Sequence, residues 1–200
     1  QQTEYVLVNY NGANRAGALR DIGASIVSSR DYGAYVKVTP AQKEYLARNF
    51  DVVSDPGRTN VNLAEQGIFF DSQVGYDLPA EWRNPGTSEY LVQFVAPTET
   101  AWNERILANS GGIMREIGDN LVVVKMTPGQ KAVVENLGYV QWVGAYEPGF
   151  KMDKNIPSEG LVKITVEAYE IADVQGIIAT LAGLGATQIE DNQYGGVNCY

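Results

Sequence analysis

The chain has 200 residues, with 15 Lys and Arg against 24 Asp and Glu, one cysteine and no histidine. Without an imidazole it has no Ser-His-Asp or Cys-His catalysis, no histidine metal ligand and no histidine pH switch, so a self-contained hydrolase of the common kinds is not expected. The net charge of −9 repels phosphate, which argues against nucleic acid and anionic membrane surfaces as partners.

In chain order, residues 4–10 read as a strand, about 13–23 as a helix and 25–30 as a strand. Asp31-Tyr32-Gly33 reads as a turn, followed by a strand at 34–38. Thr39-Pro40-Ala41-Gln42 starts a helix from Pro40 to Asn49, and a strand follows at 51–54. Residues 57–88 are too apolar for a disordered linker, with Ile68-Phe69-Phe70 followed by Gly75-Tyr76-Asp77-Leu78-Pro79. They are expected to lie extended across a neighbouring unit, with a short strand around Ile68 to Asp71.

The opening pattern then returns. Glu4-Tyr5-Val6-Leu7-Val8 is matched by Glu89-Tyr90-Leu91-Val92-Gln93, and Val36-Lys37-Val38-Thr39-Pro40 by Val124-Lys125-Met126-Thr127-Pro128, at nearly the same spacing. In this second copy a strand at 89–96 precedes a helix between Thr98 and Asn109 carrying Trp102 and Ile106. Ile113 to Ile117, the turn Gly118-Asp119-Asn120 and Leu121 to Met126 make a hairpin. Thr127-Pro128-Gly129-Gln130 combines an N-cap Thr, a Pro at the first helical position and a Gln that closes a capping box. The helix ends at Gly138, and Tyr139 to Ala145 is a fourth strand that alternation expects to carry Val140 and Trp142 on one face. Both alternating sets in Val122-Val123-Val124 are apolar, as in a sheet covered on both sides.

A fainter third copy has a strand at 161–168 and a helix with Val174, Ile177, Ile178, Leu181 and Leu184 on one face. A strand from Thr187 to Glu190 follows, then a turn at Tyr194-Gly195-Gly196-Val197 into a third strand. The expected fold class is α+β, with tandem ferredoxin-like βαββαβ units, two complete and a third truncated. The expected domains are unit 1 at 1–56, an extended linker at 57–88, unit 2 at 89–150 and partial unit 3 at 151–200. A unit of that third kind leaves a sheet edge unpaired and an apolar face partly uncovered.

The chemical inventory is thin. There is no phosphate loop, EF-hand loop, Gly-x-Ser-x-Gly elbow or N-glycosylation sequon, and Glu190-Asp191 reads as solvated surface. No apolar run reaches the roughly 18–20 residues of a membrane span. Gln1-Gln2-Thr3 shows neither an initiator Met nor a signal peptide, as expected of a processed or trimmed start. No catalytic residue, cofactor or metal is expected, and Cys199 has no internal disulfide partner.

Tyr90-Leu91-Val92-Gln93-Phe94, Trp102, Gly112, Asp119-Asn120, Val124-Lys125-Met126 and Val140-Gln141-Trp142-Val143-Gly144-Ala145-Tyr146-Glu147-Pro148 together resemble the non-catalytic N-terminal region of secreted subtilisin-like serine peptidases. The unit at Leu161 resembles the module that follows there. The resemblance implies an extracellular propeptide or inhibitor-type module that binds a subtilisin-like protease domain and assists its folding. The family's catalytic Asp, His and Ser have no counterparts here. The alternative expectation is a self-assembling extracellular filament subunit whose third unit is completed by a strand or segment of the neighbouring copy. The candidate interaction residues are Tyr5, Val6, Leu7 and Val8 in the N-terminal strand, Trp142 and Tyr146 in the aromatic exit, and an edge formed by Gly196, Val197, Asn198, Cys199 and Tyr200.

Overall fold

Two Thr-Pro-x-Gln sequences mark corresponding points of a repeated α+β unit in the computed structural model, which describes residues 3–9, 16–54, 56–157, 159–187, 189–191 and 195–200. Both form complete capping boxes. At Thr39 the backbone N–H donates to Gln42 Oε1 at 2.8 Å, and the hydroxyl accepts from the Gln42 N–H at 3.4 Å. At Thr127 the corresponding distances are 2.8 and 3.3 Å. Two otherwise orphaned donors are satisfied at each helix start.

Module 1 contains β1 (Glu4–Asn9), α1 (Ala16–Asp21), β2 (Ser25–Arg30), β3 (Gly33–Val38), α2 (Pro40–Asn49) and β4 (Asp51–Val53). Its sheet order is β2-β3-β1-β4, with antiparallel neighbours. The first helix ends at Asp21, before the expected residue 23, and residues 10–15, on which its expected start falls, lie outside those described. A two-stranded sheet follows, β5 (Asn60–Leu63) with β6 (Ile68–Asp71).

Module 2 contains β7 (Glu89–Phe94), α3 (Thr100–Leu107), β8 (Gly112–Ile117), β9 (Leu121–Lys125), α4 (Pro128–Glu135) and β10 (Val140–Ala145), in the order β10-β7-β9-β8. This is the strand order of module 1 read from the other edge. Gly118 supplies the positive φ of 69° that the β8–β9 turn requires.

Module 3 contains β11 (Ile164–Glu167), α5 (Val174–Gly183), β12 (Glu190–Asp191) and β13 (Gly196–Cys199). Its order, β11-β13-β12, is that of the complete modules without the strand outside β11. The second strand begins at Glu190, later than the expected Thr187. Residues 188 and 194, on which parts of the expected strand and turn fall, lie outside those described. The chain is thus a tandem of α+β units with ferredoxin-like topology, two full and a third truncated.

By packing, the chain divides into two compact units, Gln1–Asn62 with Phe69–Glu147, and Leu63–Ile68 with Pro148–Tyr200. In the first, Val6, Val8, Leu19, Val36, Val38 and Leu46 form the core of module 1. The opposite face of that sheet carries Tyr5, Leu7, Val27 and Tyr35, all packed into the cluster built on module 2. Phe94, Trp102, Ile106, Val122, Val124 and Val134 centre that cluster, and Tyr139 stacks on Trp102 with ring centroids 4.9 Å apart.

Both faces of the module 2 sheet are covered. Val92, Phe94, Val122 and Val124 lie in the cluster, while the alternate residues Leu91, Gln93, Leu121 and Val123 are buried as well. On that second face the Gln93 side chain accepts from Ser72 Oγ at 2.6 Å and donates to the Asn60 carbonyl at 3.1 Å, so residues between the modules line the sheet.

Candidate interaction surfaces

The N-terminal strand does not offer a free edge. β1 lies between β3 and β4, paired with β3 along Glu4–Asn9 and with β4 at Leu7, Val8 and Asn9, because the order β2-β3-β1-β4 places a unit's first strand inside the sheet. Val6 and Val8 point into the module 1 core and are 1% and 0% exposed. Tyr5 and Leu7 point the other way, into packing between modules 1 and 2.

The same topology corrects the edge expected at Gly196 to Tyr200. β13 is the middle strand of module 3, and Gly196, Val197 and Cys199 are buried in it. Asn198 is half-buried, and its side chain accepts from Thr165 Oγ1 at 2.7 Å on the polar sheet face. The Tyr200 backbone exchanges hydrogen bonds with Thr187 at 2.8 and 2.9 Å, and Lys163 Nζ sits 5.5 Å from its ring centroid. Among the described residues, β11 has no strand on its outer side, where β1 and β7 have β4 and β10.

The aromatic exit divides. Tyr146 is 2% exposed, and its N–H donates to the Glu89 carbonyl at 2.9 Å, which leaves little side chain for a partner. Trp142 is half-buried and meets Phe70 edge-on at 6.0 Å, and Phe70 meets Tyr76 at 5.5 Å. A β-bulge between Val140 and Trp142 corrects the expected alternation. Val140 pairs with Phe94 and joins the helix-side cluster, whereas Trp142 pairs with Gln93 on the opposite face.

Polar contacts within the first unit concentrate between modules 1 and 2. Ser28 Oγ donates to the Glu99 carboxylate, and the Arg30 guanidinium donates to the Pro97 carbonyl at 3.0 Å and lies 3.6 Å from the same carboxylate. Arg58, for which the sequence carries no signal beyond a Pro-Gly turn, donates to Tyr35 Oη at 2.9 Å and to Asp119 Oδ2 at 3.1 Å. Its carbonyl accepts from the Asn120 and Gln141 amides at 3.2 and 3.3 Å. A cavity of about 450 Å³ opens beside Arg58 and Tyr35, lined also by Tyr5, Gln73, Val95 and Gln141. Burial raises the Tyr35 hydroxyl above its ordinary pKa of 10.0, and the Arg58 charge offsets part of that rise. Arg58 is already engaged by Tyr35 and Asp119, so it acts here as a clamp.

Module 3 differs from its counterparts in what it leaves open. Its helix side carries Val197 and Cys199 from β13 opposite Val166 and Ile164 from β11. Val197 and Cys199 are buried, while Ile164 and Val166 are only half-buried. Of α5, only Val174 is fully buried; Ile177, Ile178 and Leu181 are partly covered. Leu184 at the helix end is 79% exposed and Ile171 just before the helix 75%.

Glu190 and Asp191 are exposed on β12. Among the described residues no group of three or more His, Cys, Asp and Glu side chains is gathered to hold a metal ion, and no helix is long and apolar enough to cross a membrane. Searches against protein-family models, curated proteins and solved structures found no match for the chain.

Proposed function

We propose that the chain is a non-catalytic, extracellular module that binds other polypeptides, with an ancestry shared with the propeptide modules of secreted subtilisin-like peptidases. The observation that carries the binding reading is a contrast between modules. In modules 1 and 2 the first strand has a neighbour on each side and the second sheet faces are packed, whereas among the described residues β11 is paired with β13 alone and α5 is an apolar helix that its own sheet only half covers. Such a surface favours contact with a further polypeptide over contact with water. The protease as partner rests on the sequence resemblance. Adding the chain to a subtilisin-like protease domain from the same source is expected to inhibit it or speed its refolding, and failure in both assays removes the protease from the proposal.

A second reading is favoured by the same β11 edge, since strand addition between copies generates a head-to-tail contact that propagates. In that case the chain is an extracellular filament subunit. Light scattering and electron microscopy at rising concentration are expected to show assemblies, and a chain that stays monomeric eliminates this reading.

A further inference from the structure

We propose that the cavity beside Arg58 is a binding site for a small carboxylate with an apolar body, its carboxylate held by the Arg58 guanidinium. The cavity lies wholly within the first compact unit, so the inference is independent of module 3. Its volume of about 450 Å³ falls in the range that encloses small organic ligands.

Charge selects an anion. Among the described lining residues only Glu4 and Arg58 carry charge. Glu4 is matched by Lys43, whose Nζ donates to Glu4 Oε2 at 2.8 Å. The Arg58 side chain is 17% exposed, whereas that of Asp119, 3.1 Å from its Nη1, is 67% exposed. A pair so open to water on its carboxylate side is weak and exchangeable. A ligand carboxylate entering from the cavity takes the place of Asp119 on the guanidinium, in surroundings with less water, where a charge-assisted hydrogen bond is stronger. The step swaps one anion for another and asks no spare donor of Arg58.

The receiving group is held in place beforehand. Nη2 donates to Tyr35 Oη at 2.9 Å, the guanidinium carbon lies 5.2 Å from the centroid of the Tyr35 ring, and the Arg58 carbonyl accepts from the Asn120 and Gln141 amides. Little side-chain freedom is left to lose on binding. Burial, which raises the pKa of Tyr35, keeps it from adding a second negative charge. The fold does not need this hydroxyl. Thr39 and Thr127 set the two repeats in register, and the position that matches Tyr35 is Val123 in module 2.

The rest of the wall sets the body of the ligand. Tyr5, Leu7, Val95 and Val140 give apolar surface, and Gln73 and Gln141 bring amides. Such a wall suits an acid that carries a hydrocarbon group and an amide, as an N-acylated apolar amino acid does. Inorganic phosphate fills none of the apolar surface and brings more charge than one guanidinium neutralises.

The test titrates the full chain with N-acetyl-leucine and with its neutral amide, N-acetyl-leucinamide, followed by calorimetry and by amide NMR shifts at Val95 and Gln141. The acid is expected to bind with a dissociation constant of about 1 mM or tighter, and about tenfold or more better than the amide. Asp119→Asn removes the competing carboxylate, keeps a residue suited to the turn, and is expected to tighten acid binding about two- to fivefold. Arg58→Gln is expected to erase the preference for acid over amide, which a loss of packing alone does not do. If urea denaturation shows that this variant does not fold, Asp119→Asn decides the matter by itself. Failure of the acid to bind, equal affinity for acid and amide, or unimproved acid binding in Asp119→Asn overturns the inference, as do shifts that spare Val95 and Gln141. Polypeptide binding by module 3 stands or falls separately.

Discussion

Gln93 shows how a single polar side chain is tolerated in an otherwise apolar strand. It is 0% exposed, and its amide is used at both ends, accepting from Ser72 and donating to the Asn60 carbonyl. Gln93→Ala strands both partners and opens a cavity, so it is expected to cost about 1–3 kcal/mol, read as a lower midpoint in urea denaturation. Two tyrosines couple stability to alkaline pH. Burial raises both Tyr35 and Tyr139 above the ordinary value of 10.0, with Arg58 and Arg105 respectively opposing the rise. Below that value both are protonated whether the chain is folded or not. Above it the unfolded forms ionise first, so stability falls as pH rises through the folded values. Denaturation repeated from neutral pH to about pH 11 is expected to show that loss, with a shallower slope in Tyr35→Phe. Arg58 was not legible as a clamp, because its partners Tyr35 and Asp119 are distant in sequence and a lone Arg in a turn has no pattern.

At the scale of elements, the clearest sequence signals were those written in adjacent residues. Thr39 and Thr127 cap their helices as their Thr-Pro-x-Gln context implies, and Thr127→Ala is expected to cost about 1 kcal/mol, measured as a fall in thermal or denaturant midpoint. The strand order was harder. β13 and β1 were expected as available strands, whereas the sheet order places both inside. The alternation of Ile164 and Val166 with Thr165 and Glu167 was available as a sign of a half-covered strand, but which side lacked a neighbour depended on the sheet order. The bulge at Gln141 was also hidden, since one inserted residue changes the face of everything beyond it without a compositional mark. Gly144 depends on that change. A methyl group there meets the Trp142 ring, so Gly144→Ala is expected to displace Trp142 from Phe70 and to cost about 1–3 kcal/mol, with a shift in tryptophan emission as its spectroscopic sign.

For the whole molecule, duplication is the organising fact, and it was legible because whole segments repeat at nearly constant spacing. What repetition did not reveal is how differently the copies use their surfaces. Module 1 packs its second sheet face against module 2, the second face of module 2 is buried and meets residues between the modules through Gln93, and module 3 presents Thr165, Glu167 and Asn198 on its polar face. Burial of an apolar face and pairing of an edge are properties of neighbours in space, and a single strand's sequence does not say which neighbour is supplied. The central claim is that module 3 binds polypeptide. Sedimentation velocity of the chain over a range of concentrations, alone and with a subtilisin-like protease domain, tests it most directly. The account predicts a faster-sedimenting species in at least one of the two series; a single monomer boundary throughout, with the protease sedimenting independently, contradicts it.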